Sequence, residues 1–112
     1  MGSFRDLAVY ERAVELADDV HHEVVRWPSF DRWTLGIQLV RAADSVGANI
    51  AEASGRGGSA DQRRLFLIAR GSALETEHWL DRAVARDLPL PAEACPRAAE
   101  VGRMLNGLLS AN

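Results

Sequence analysis

The sequence predicts an all-α fold: an up-down-up-down four-helix bundle in a single domain. Three observations carry that expectation. Apolar residues recur at helical spacing in four separate stretches. Short breaks divide those stretches, at Trp27-Pro28, at the glycines 55, 57 and 58, and at Leu88-Pro89-Leu90-Pro91. No stretch alternates apolar and polar residues as a half-buried strand does. A chain of 112 residues suits one core. The helices are predicted at about 4–26, 33–55, 60–87 and 91–110 of one domain spanning 1–112.

The first helix follows from Phe4, Leu7, Ala8, Ala13, Val14, Leu16, Ala17, Val20 and Val24. Ser3 is its expected N-cap, with Asp6 three residues on as a shortened capping box, and Pro28 ends it. The connector Trp27 to Trp33 is rich in aromatic anchors, and Asp31 or Thr34 is placed to cap the second helix.

That second helix, Leu35 to Arg56, organises the chain. Gln38, Arg41, Ser45, Asn49, Glu52 and Arg56 fall on one narrow stripe at 100° per residue. Nearly all the rest of its surface is apolar or small, so the helix is expected to be covered on most sides. Short hydrogen-bonding groups in the stripe point to a polar seam against another helix. The competing reading is a stripe turned to water.

Ser59-Ala60-Asp61-Gln62 has the form of a capping box opening the third helix, with Gln62 reaching back to the Ser59 amide. Gly71 inside that helix suggests a close backbone approach. Gly71 and Ser72 are therefore expected to face the second helix, with Glu75 and Arg41 as an ion pair. If buried, that pair would cost roughly 3–5 kcal/mol to break. In the fourth helix Pro91 fits the first position, while Pro96 either kinks the helix or marks its start.

Composition narrows the function. Hydrophobic content is 47% and charged content 26%, as in ordinary soluble domains. No apolar run approaches the roughly 20 residues of a membrane span. The N-terminal MGSFRDL lacks the apolar run of a secretory signal, and Cys95 is the one cysteine, so a cytoplasmic protein with no disulfide is expected. A net charge of −3 argues against a broadly basic nucleic-acid binder. Yet Arg56, Arg63, Arg64 and Arg70 face only Asp61 between positions 56 and 70. The glycine-rich turn ahead of a helix N-terminus gives them an anion-attracting setting. They are the candidate contacts for phosphate, nucleic acid or a partner's carboxylates, against the simpler reading of solvated arginines on a turn.

Catalytic chemistry finds little footing. His21, His22 and Asp18 are too few for a metal site, and no HExxH or Cys/His cluster accompanies them. Ser45 and Ser72 lack a nucleophile elbow and a histidine partner. No catalytic residue, metal or cofactor is expected.

At this point the residues become familiar. Phe4 to Tyr10, Trp27-Pro28, Gln38-Leu39-Val40-Arg41-Ala42-Ala43-Asp44-Ser45, Asn49-Ile50-Ala51-Glu52 and Gly55-Arg56 form one series. Arg64 to Ser72 with Glu75, and Arg103 to Leu108, complete it. The chain resembles the bacterial four-helix bundle proteins first recognised in intervening sequences of 23S ribosomal RNA genes. Two positions depart from the pattern: many relatives have proline where Gly47 stands and glycine where Ala53 stands. The resemblance implies a ring-like homopentamer. It also implies kinship with accessory proteins of diversity-generating retroelements, which bind nucleic acid and a reverse transcriptase through a strongly basic surface; the acidic balance here departs from that.

The expected function is a non-enzymatic homo-oligomeric scaffold or adaptor. Gln38, Arg41, Ser45, Asn49, Glu52, Ser72 and Glu75 would hold helices together. Trp27, Phe30, Trp33 and Trp79 would make subunit contacts, since aromatics anchor interfaces. The alternative is a nucleic-acid accessory protein working through the four arginines. Expected partners are further copies of the chain and a nucleic acid or another protein, with no membrane.

Overall fold

The computed structural model describes residues 4–56 and 58–110, and the expected Ser3 cap lies outside them. Four long helices stand side by side in a body of 44 × 21 × 17 Å. They are α1 (Phe4–Val24), α2 (Ile37–Ser54), α3 (Ser59–Ala85) and α4 (Ala94–Ser110). Each packs on its neighbours in chain order, and α4 closes back on α1, whereas the diagonal pairs barely meet. This is the up-down-up-down arrangement that short connectors favour.

The core lies in two clusters. One end joins Val9, Val46, Ile50, Phe66, Val101 and Leu105, and the other joins Leu16, Val20, Trp27, Leu39 and Leu80. Alanines such as Ala42, Ala43, Ala69, Ala73 and Ala98 bring the helix backbones close together. Thr76 is the buried polar residue among them, and its hydroxyl donates to the Ser72 carbonyl at 2.8 Å. Where α1 and α2 meet, a Cβ on Gly47 would lie 3.2 Å from the Val14 methyl Cγ2.

The helix ends differ from expectation in instructive ways. α1 stops at Val24, because Arg26 and Trp27 bond back three residues, to Glu23 and Val24, ahead of Pro28. The next helix opens earlier than 33, with a single turn over Ser29–Asp31 and a wider π turn over Arg32–Gly36 feeding α2. Neither Asp31 nor Thr34 caps it; Thr34 donates back to the Phe30 carbonyl at 2.7 Å. The capping box at Ser59 does not form. Gly58 holds the cap position without a side-chain bond, and the Gln62 amide donates instead to the Ala53 carbonyl at 3.2 Å. That bond satisfies an orphan carbonyl at the end of α2.

α3 ends in a Schellman motif. Leu88 N–H reaches the Ala83 carbonyl at 2.9 Å, Asp87 N–H reaches Val84 at 3.1 Å, and Asp87 sits at φ 58°. α4 begins at Ala94, not at Pro91. Pro96 falls in its first turn, where a missing N–H removes no intrahelical bond. Among the described residues, no helix is long and apolar enough to cross a membrane.

Candidate functional site

The arginines of the α2–α3 turn do not form one cluster. Arg56 is held by Glu52 at 2.7 Å and by Asp61 at 3.2 Å, and Arg64 takes the other oxygen of Asp61 at 2.9 Å. The hydrogen bond to Glu52, then the charges of Asp61 and Glu52, push the Arg56 pKa up. Two guanidinium charges here meet two carboxylates, so little field is left for a phosphate. Arg63 and Arg70 point elsewhere, toward α4. The first donates to the Leu109 carbonyl at 2.7 Å and the second to the Asn106 side chain at 3.3 Å.

The polar seam is present in its middle only. Ser72 donates to the Ser45 hydroxyl at 3.0 Å, and Asn49 donates to the same hydroxyl at 3.1 Å and to the Ser45 carbonyl at 2.8 Å. All three residues are half-buried between α2 and α3. The flanks turn to solvent: Gln38, Arg41, Glu52 and Glu75 are exposed. The expected Arg41–Glu75 pair does not form. Glu75 lies one turn before Trp79 on α3 and accepts from its indole N–H at 3.1 Å. Gly71 is corrected too: it is exposed, and a Cβ there would meet nothing within 4 Å. It lies 100° around the helix from Ser72, so only one of the two can face α2.

The aromatic candidates also separate. Trp27 is buried, at 2% exposure, and donates its indole N–H to the Pro89 carbonyl at 2.8 Å. It fastens two connectors and is unavailable to a second subunit. Trp79 is half-buried, with His78 against it edge-on at 4.7 Å. Phe30 and Trp33 stand out at 77% and 66% exposure.

Beside Trp33 lies a feature that sequence reasoning missed. A groove of about 510 Å³ runs between the last turns of α1 and the start of α2. Val24, Val25, Ile37 and Val40 form its walls, and His21, Arg32 and Arg41 its rim. The π turn makes it, since one extra residue per turn rotates Trp33 out of the core while Leu35 and Gly36 stay buried. Gly36 allows the helix ends to meet: a Cβ would lie 2.7 Å from Val24 Cγ1 and 3.2 Å from the Asp31 carbonyl. The closely placed glycine before an apolar helix was the one signal available.

Among the described residues no three His, Cys, Asp or Glu side chains gather as a metal site would require. His21 and His22 are exposed, their rings packed edge to face at 5.7 Å. Burial, followed by the charges of Asp81 and Glu77, pushes the Cys95 thiol up, away from the reactive thiolate.

The family model of the 23S rRNA-intervening sequence proteins matches residues 5–107. The chain belongs to that family. A 23S rRNA-intervening sequence protein thus carries both the half-formed seam and the groove. A crystal structure at 1.70 Å resolution, of a protein of unknown function from the S23 ribosomal protein family of Bacteroides thetaiotaomicron, has the same fold. The two share 23% identity at a TM-score of 0.83, over 95% of this chain and 98% of that one. No curated protein matches the sequence.

Proposed function

We propose that this member of the 23S rRNA-intervening sequence family is a non-catalytic scaffold or adaptor that works as a ring-like homopentamer in the cytoplasm. The observation that carries the proposal is an apolar row on the outer face of α3. Leu67 and Leu74, two turns apart on one face, are 39% and 60% exposed, and the open backbone of Gly71 lies between them. Contiguous exposed apolar side chains are uncommon on monomers and mark protein contacts. A bare glycine in such a row lets a second helix come near.

The neutralised setting of Arg56 and Arg64 favours this role over nucleic-acid binding. Sedimentation velocity tests it directly. The expected species has five times the 12.2 kDa of one chain, and Leu74→Glu lowers it to one chain with helical content unchanged. A wild-type chain that stays at 12.2 kDa across the micromolar range would overturn the proposal.

A further inference from the structure

The groove beside Trp33 has a chemistry of its own, distinct from the α3 row. Its walls are branched aliphatic side chains, Val24 and Val25 at the end of α1 against Ile37 and Val40 of α2, with the Trp33 indole at the edge. Its volume of about 510 Å³ falls within the roughly 300–1,000 Å³ of small-molecule sites. No carboxylate lines it.

The charges around it are cationic. Some arginines of the chain face acids, Arg12 with Glu100, Arg56 with Glu52 and Asp61, and Arg97 with Asp19 and Glu15, whereas Arg63, Arg70, Arg82, Arg86 and Arg103 form no ion pair among the described residues. Arg32 and Arg41 form no ion pair among the described residues. Arg32 is steadied by a bond from its Nη1 to the Val25 carbonyl at 3.2 Å, which fixes the guanidinium without neutralising it. The imidazole of His21 lies on the same rim. On α1, Glu23 is engaged by Arg26 at 3.2 Å, and Asp18, like Asp44 one turn beyond Arg41, lines a different groove. In a protein of net charge −3, an apolar trough rimmed by uncompensated cations selects for one kind of ligand.

We propose that this groove binds a free amphipathic anion, a small molecule with an aliphatic or aromatic body and one carboxylate or comparable acidic head. The body lies along Val24, Val25, Ile37 and Val40 under the Trp33 indole. The head meets Arg41 and Arg32, where charge-assisted hydrogen bonds form in a partly dry setting. The π turn belongs to the site, since it sets Trp33 and Arg32 at the mouth; such turns recur where helices serve function.

The test is calorimetric titration of the intact protein with sodium decanoate below its micelle concentration, with decylammonium as the charge-reversed probe. Expected are one decanoate per chain, a shift in tryptophan emission, and decylammonium bound weaker by about tenfold or more. Arg41→Gln lowers decanoate affinity by about tenfold or more, and Trp33→Ala weakens it as well, both with unchanged melting temperature. Equal binding of the two probes, or binding indifferent to Arg41→Gln, overturns the proposal. So does an oligomer that ignores decanoate but falls apart on Trp33→Ala, because the groove is then filled by a second copy. Mass is measured on the same samples. A monomer that binds decanoate keeps this site and loses the ring, and a pentamer that does not bind keeps the ring and loses the site.

Discussion

Gly71→Ala is expected to act with opposite signs on the single chain and on the assembly. Glycine in a helix interior costs about 1 kcal/mol relative to alanine, through backbone entropy and exposed peptide groups. A Cβ built at Gly71 meets nothing within 4 Å, so no steric penalty offsets the gain. With roughly 2.1 cal/mol/K of unfolding entropy per residue over 112 residues, 1 kcal/mol raises Tm by about 4 °C. In the proposed ring each new methyl would lie in the apolar row between packed subunits, where overfilling costs about 1–3 kcal/mol. The measurement is thermal unfolding in the dissociated Leu74→Glu background, paired with sedimentation of Gly71→Ala in the wild-type background. A Tm that stays level or falls in the dissociated chain would mean the Cβ direction is blocked within the bundle. An undisturbed pentamer would remove the α3 row from the interface.

Three further expectations rest on single sites. Gly36→Ala should destabilise by about 1–3 kcal/mol, since the new methyl overlaps Val24 Cγ1 and crowds the Asp31 carbonyl; urea unfolding that shows no loss would refute the close approach. Asp87→Gly should stabilise by about 1 kcal/mol, because glycine takes the left-handed φ of 58° without the Cβ penalty, and a drop in Tm would count against the Schellman geometry. Iodoacetamide should alkylate Cys95 at pH 8 more slowly than an unstructured cysteine peptide. Burial and the charges of Asp81 and Glu77 raise its pKa, so less thiolate is present at that pH, and Asp81→Asn should speed the reaction; equal rates would contradict the shift.

The four helices were legible because each buries one face, which imposes a 3.6-residue period on Val, Leu and Ala that a strand or loop does not share. Helix ends were less legible, since they depend on which partner a polar group finds first. Gln62 has the right spacing for its own Ser59 amide, yet the Ala53 carbonyl across the turn takes its donor. Glu75 shows the same competition, with the Trp79 indole on its own helix in place of Arg41. Trp27 read as an interface aromatic because nothing local reveals that Pro89, 62 residues away, offers it a carbonyl. The arginine turn divided for a rotational reason: Arg63 and Arg64 are neighbours in sequence but 100° apart on α3. The groove was the least visible feature, because a π turn leaves no periodic signature.

The Trp27–Pro89 hydrogen bond gives the chain the form of a closed loop with two tails. Residues 28 to 88, holding α2 and α3, leave and return at one point, where an indole N–H meets a carbonyl at 2.8 Å. The α2–α3 hairpin is thus shut at its base, while α1 and α4 run outward from the closure and pack against each other. Closing so long a loop carries an entropic cost that grows only slowly with length. Once closed, the connectors on either side of Trp27 and Pro89 lose the freedom to fray separately. Amide exchange there should follow one shared opening, with Trp27 as its latch.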